Sequence, residues 1–279
     1  MEEKMKMYNI FISNFVNYLP VIKKIFQIKK DYPQYFKEEI SQVGLFGIFP
    51  YSIWSSCNMT KNIFNNIGIE SNLRYILDEN LKLMLEFTNT NLSKEHFFDS
   101  FSNYVLKMTD ELKLDYSICV SNKDLALFLK EKYNDLKVIN ANFDKKAFNE
   151  DVFTSNIIDF EFFNNNKEEV KNNCDKYVLK LNSFCENECS CKEKMSKAIL
   201  NFENLDNVCE KRKSNFENSK ENKFFVSNEQ IVETNISNFV IDLGSTEEVE
   251  NIDAILYYLA KAEHLAEVKL MLLKQLYLK

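Results

Sequence analysis

Cys185, Cys189 and Cys191 are spaced C-x-x-x-C-x-C directly after a β-type run, the densest grouping of soft ligands in the chain. Thiolates at this spacing can converge on one thiophilic metal, zinc or an iron–sulfur cluster, with Cys209 as fourth ligand and Cys174 or Cys57 as poorer substitutes. The pattern is neither the paired C-x-x-C of a zinc ribbon nor the C-x-x-x-C-x-x-C of a radical adenosylmethionine enzyme. The plainer alternative is a set of free thiols in a solvent loop, where Glu186 and Glu188 disfavour thiolate formation.

Carboxylates offer a second chemistry. Asp159 and Glu161 stand two residues apart at the end of a β-type run, which predicts both on one side of a sheet. Such a pair divides general acid and base roles or holds a divalent cation, while the bland reading is a helix N-cap or a solvated acid. Asn89 and Asp242, at the ends of two other runs, complete the candidate catalytic set, and Tyr51, Trp54, Thr88 and Asn182 are candidate substrate-binding residues. His96 and His264 are the only histidines and fall within helical patterns, so a Cys-His or Ser-His pair is poorly supported. Gly44, Gly47, Gly68 and Gly244 match no phosphate-cradling spacing, and no nucleotide cofactor is expected.

The elements that must position these residues alternate. Strands are predicted over Gln42 to Phe49, Leu81 to Phe87, Asp115 to Val120, Leu136 to Asn140, Asn156 to Phe160, Tyr177 to Leu181 and Asn238 to Leu243. Helices are predicted between them over Lys94 to Leu112, Lys123 to Tyr133, Lys145 to Val152 and Asn165 to Asn173. This is the rhythm of parallel strands joined by right-handed crossovers. It predicts an α/β fold, a TIM-type (β/α) barrel in one domain over 1–279, with one strand unaccounted for. An open doubly wound sheet would alternate similarly, but no glycine-rich first turn marks one. The strand-end loops, where barrels collect function, hold the candidates named above.

The two ends depart from the rhythm. Residues 1–35 read as two helices ahead of the first strand, suited to plugging the barrel's bottom. Glu248 to Leu278 reads as one long helix whose apolar stripe runs through Ile255, Leu259, Val268 and Leu272, packed on the barrel or else forming an oligomer contact. The polar stretch 203–224 reads as a mobile surface loop.

Composition narrows the function classes. With 35 basic and 42 acidic residues and no dominant basic cluster, a nucleic-acid surface is disfavoured. Phe11 to Ile28 is interrupted by Asn14, Asn17, Pro20, Lys23 and Lys24, so it reads as an amphipathic helix rather than a membrane span. The acidic start and the cysteine usage point to a cytoplasmic protein without disulfides.

Several of these segments together resemble a bacterial group of barrels similar to the collagenase-like peptidases (class U-32) and to radical-enzyme-type barrels. The likeness rests on Gly47-Ile48-Phe49-Pro50 with Trp54, Phe87-Thr88-Asn89, Asp99 to Asn103, Asp124 to Tyr133, Ile158-Asp159-Phe160-Glu161, Leu181-Asn182 with Cys185 and Cys189, Ser227 to Ile231, and Tyr257 to Glu263. It implies a TIM-type barrel and, as in several collagenase-like relatives, cysteines that bind a four-iron cluster. Two positions depart from the pattern: Val240 to Ser245 replaces the relatives' Lys-Ile-Glu-Gly-Arg strand end, and Ser102 stands where cysteine is expected. The expectation is a modification-type enzyme with a small-molecule or peptide substrate, its metal held by Cys185, Cys189, Cys191 and Cys209. The alternative is a catalytically silent barrel that binds a protein partner, and proteolysis is a third and poorer option because no nucleophile–base pair or zinc-protease motif is visible.

Overall fold

The computed structural model describes residues 6–49, 51–55, 68–133, 135–141, 151–182, 191–201, 225–243 and 248–277. Eight strands follow one another around a closed barrel, every neighbouring pair parallel: β1 (Tyr8–Ile12), β2 (Ile40–Gly47), β3 (Lys82–Phe87), β4 (Tyr116–Val120), β5 (Lys137–Asn140), β6 (Ser155–Ile158), β7 (Tyr177–Lys180) and β8 (Asn238–Ile241). Described helices are α1 (Phe15–Asp31), α2 (Ile69–Asp78), α3 (Ser100–Glu111), α4 (Lys123–Lys132), α5 (Phe160–Asn165), α6 (Lys167–Asn172), α7 (Cys191–Leu200), α8 (Asn228–Glu233), α9 (Glu248–Leu259) and α10 (Leu265–Tyr277). The TIM-type barrel is therefore the fold, and the doubly wound sheet is set aside. No described helix is long and apolar enough to cross a membrane.

The strand missing from the sequence reading is β1. Residues 1–35 do not form two helices that plug the bottom: they hold β1, which closes the barrel by pairing with both β2 and β8, and α1, which packs outside against α10. Only Ser13 and Asn14 separate β1 from α1, and Asn14 makes the turn in the left-handed region at φ 51°. Asparagine tolerates that conformation, so neither glycine nor proline marks the boundary. Pro20 lies in the second turn of α1 without ending it.

The C-terminal stretch is two helices rather than one. The chain breaks at Ala260, where Lys37 N–H donates to Leu259 O and Lys261 N–H donates to Tyr35 O. The apolar stripe is buried within its own chain: Ile255, Leu256 and Leu259 on α9, and Val268 and Leu272 on α10, are all 2% exposed or less. The segment 203–224 and most of the helix expected over Lys145 to Val152 lie outside the described residues.

Strands in such a barrel are buried on both faces, which explains their near-continuous apolar runs. Leu83, Leu85 and Phe87 of β3, for example, face the helices, while Met84 faces the interior. Following the register around the barrel with one residue of stagger per strand sorts the interior into layers. Phe11, Met84, Ile139 and Val178 come from the odd strands, and Phe46, Cys119, Ile157 and Val240 from the even strands one step nearer the carboxyl ends. Four side chains from alternate strands is the filling expected of a TIM barrel. Gly44 belongs to this packing because a Cβ there would lie 2.5 Å from Cδ1 of Phe11. The glycine is the space that the phenyl ring occupies.

Candidate active site at the carboxyl-end mouth

Above the two apolar layers the pattern changes. The next odd-strand positions are Ser13, Glu86, Ala141 and Lys180, and the even-strand positions beyond them include Ser121, Asp159 and Asp242, by the same two-residue alternation. A third apolar layer is thus replaced by an acid and a base, roofed by two more carboxylates. Glu86 is 6% exposed and Asp159 2%. Burying ionisable groups costs free energy unless they are paired or hydrogen-bonded, and each here has a partner. Glu86 Oε1 accepts from Thr88 Oγ1 at 3.1 Å, and Lys180 Nζ lies 4.0 Å from Asp242 Oδ2.

Asp159 is a perturbed carboxylate of the mouth. Desolvation raises its pKa, Glu161 pushes the same way, and the Phe162 N–H and Lys180 pull it back. A buried carboxyl with a raised pKa beside an ammonium can deliver and recover a proton near neutral pH more readily than a solvated one. With Glu86, Asp159 and Asp242 set against Lys180, the mouth suits a substrate that brings a positive or hydrogen-bond-donating group.

The sequence-derived candidates divide. Asp159 and Asp242 fall at the mouth, but the strand ends at Ile158, so Asp159 and Glu161 are not a strand pair. Asp159 is the N-cap of α5, accepting from Phe162 N–H at 2.7 Å, and Glu161 sits in that helix's first turn. Asn89 is fully buried, its amide donating to Ile53 O and Ser196 O and accepting from Asn91 N–H, so it ties the loop after β2 to α7. Trp54 is likewise fully buried. Its indole N–H donates to His96 O at 2.7 Å and its ring stands edge-on to Phe87, which makes it a packing residue rather than a substrate platform. Tyr51 is half exposed and set edge-on to Phe101, Thr88 donates to Glu86, and Asn182 is bonded to the backbone of Asp242.

His96 accepts from Ser93 N–H in a helix-start capping box. Ser102, at the position where the resemblance expects cysteine, is buried and bonded to Asp99 and Ser52. Of the proposed metal ligands, Cys185, Cys189 and Cys209 lie outside the described residues, and Cys191 is the first residue of α7, with its side chain undescribed. Cys174 lies just before β7, at the amino end of that strand. Among the described residues no group of three or more His, Cys, Asp or Glu is arranged to hold a metal.

Glu86 and Lys180 were not picked out from sequence. The available signal is a charge set in or at the end of an apolar run, Leu-Met-Leu-Glu-Phe for Glu86 and Tyr-Val-Leu-Lys for Lys180. In a strand buried on both faces a charge has no solvent side to occupy.

A parallel eight-strand barrel with ionisable groups gathered at its carboxyl ends has the layout of barrel enzymes. Among solved structures the chain is similar to the U32 peptidase Mk0906, with a TM-score of 0.53 over 86% of this chain and 94% of that one. Identity is 13%, so the likeness is one of fold. No family model and no curated protein sequence matches the chain.

Proposed function

We propose that this barrel is an enzyme whose carboxyl-end mouth performs proton-transfer chemistry on a peptide or similar small substrate. The observation that carries this reading is the replacement of the third interior layer by Glu86 and Lys180 beneath Asp159 and Asp242. Asp159 acts as general acid and base, and Lys180 partly offsets the desolvation of Asp159 and steadies charge that develops on the substrate. Glu86 and Asp242 orient a cationic or donor group. The fold likeness to a U32 peptidase supports peptides as the first substrate class to try.

A thiophilic metal or iron–sulfur cluster on Cys185, Cys189, Cys191 and Cys209 belongs to the same proposal. Both ends of the segment that carries the first three are fixed at the mouth: Asn182 bonds to Asp242, and at the start of α7 the Glu193 and Ser196 carbonyls accept from Asn91 and Asn89. Such a group would supply Lewis-acid or one-electron chemistry there.

The reading is tested by incubating anaerobically purified protein with fluorogenic gelatin and casein beside Asp159→Asn and Lys180→Met. Loss of about a hundredfold or more of the turnover in both variants is expected. Equal turnover in all three proteins, or none by the wild type, overturns the peptide reading. Iron, zinc and sulfide analysis of wild type beside Cys185→Ser and Cys189→Ser tests the ligands separately: metal retained at full stoichiometry in both variants removes them.

A further inference from the structure

The opposite mouth of the barrel is also open. Below the apolar layers, the positions where a TIM barrel usually carries bulky branched side chains are Gly44, Ser117, Ser155 and Asn238, and beneath them lie Asn9, Lys82 and Lys137. These small residues leave a cavity of about 240 Å³ at the amino ends of the strands, lined by Asn9, Lys82, Ser117, Lys137, Ser155 and Asn238 among others. That is room for about eight water molecules, or for a phosphate with a short organic tail.

The lining has the chemistry of an anion site. Lys82 and Lys137 start β3 and β5, two strands apart on the inner face, so their stems begin on the order of 10 Å apart and both ammonium groups can reach one ligand. Neither lysine forms an ion pair with a carboxylate among the described residues. Asp115, the only acid in the lining among the described residues, is exposed. Ser155 is 9% exposed and lines the cavity, where its hydroxyl can donate to a ligand oxygen. Asn9 donates to Asn238 at 2.9 Å across the closure of the barrel, which presets that pair at the cavity wall.

We infer that the amino-end mouth is a second binding site, separate from the carboxyl-end chemistry, for a small anion carrying a phosphate or a carboxylate. Lys82 and Lys137 neutralise the anion, Ser155 and Ser117 donate to its oxygens, and the Asn9–Asn238 pair meets its polar tail. Because the chain carries a net charge of −7, the attraction is local and not a property of the whole surface.

Thermal unfolding of the full chain is followed during titration with inorganic phosphate, malonate, and sodium chloride at matched ionic strength. A saturable rise in Tm with phosphate or malonate but not chloride is expected, and whichever anion acts at lower concentration identifies the headgroup. In Lys82→Gln/Lys137→Gln the half-saturating concentration rises about tenfold or more, whereas Lys180→Gln, at the other mouth, leaves it unchanged. Ser155→Val provides a milder variant that also weakens binding if the double variant folds poorly. The inference is overturned if no anion stabilises the protein beyond chloride, if Ser155→Val and the double variant respond like wild type, or if Lys180→Gln abolishes the response.

Discussion

The side-chain amide of Asn182 meets the backbone of Asp242 twice: its Nδ2 donates to the Asp242 carbonyl at 2.8 Å, and the Asp242 N–H donates to its Oδ1 at 2.9 Å. The pair imitates one more rung of the ladder past the ends of β7 and β8, and it fixes Asp242 beside Lys180. Asn182→Ala leaves both backbone groups without their partner, and a loss of about 1–3 kcal/mol is expected. Urea unfolding measures it. A midpoint equal to wild type would mean that water replaces the amide at no cost.

Trp54 is the only tryptophan, so it reports its own environment. Complete burial against Phe87 predicts blue-shifted emission from the native protein and a red shift on unfolding. Trp54→Phe keeps an aromatic ring but removes the donor to His96 O, which should cost about 1–3 kcal/mol. Native emission typical of a solvated indole would contradict the packing described above.

The order of strands was legible because seven of them are short apolar runs separated by helical patterns. Their boundaries agree with the structure to within about two residues. β1 was hidden for a local reason. Tyr8–Ile12 merges into the apolar face of α1 through an asparagine turn, and no periodicity change is visible over so few residues. The mouth was half legible. Asp159 and Asp242 stand at strand ends, where a reader searches, whereas Glu86 and Lys180 emerge only once the register shows which face each strand turns inward. Trp54 and Asn89 misled for the opposite reason, since polar and aromatic residues in loops look available until their partners across the loop are seen.

The contact between Gly44 and Phe11 can be tested by coupling. Gly44→Ala forces the phenyl ring to move within a filled layer, and overpacking of this kind costs about 1–3 kcal/mol. Phe11→Leu alone should destabilise by cavity formation. The double variant should be more stable than the sum of the two effects, because the smaller side chain vacates the space the new methyl needs. Strict additivity in urea denaturation would show that the ring does not occupy that space.

Lys37 bridges distant parts of the ring, its ammonium donating to Asn228 Oδ1 at 2.6 Å and to Tyr257 O at 3.0 Å. Burial lowers its pKa to about 8, opposed by Glu39 and Glu229. Between that value and the ordinary lysine pKa of about 10.4 the unfolded chain binds more protons than the folded one, so this residue's contribution to stability rises with pH across the window. Relative to Lys37→Gln, wild type should gain stability between pH 8 and 10. A flat difference would place the amine in contact with solvent.

Asp159 gives the opposite slope and bears directly on the proposed chemistry. Its folded-state pKa is raised, chiefly by desolvation, so its contribution to stability is fully present below the unfolded carboxyl pKa and is lost as pH rises through the folded one. Asp159→Asn removes the buried charge while keeping an oxygen that can accept from Phe162 N–H, and asparagine is as good an N-cap as aspartate. The variant should therefore match wild type in acid and become the more stable protein as pH approaches neutrality, while losing activity. If wild type is the one that gains with pH, Lys180 and the Phe162 N–H outweigh desolvation. The carboxyl is then an ordinary ionised cap, and the general acid and base role passes to Glu86.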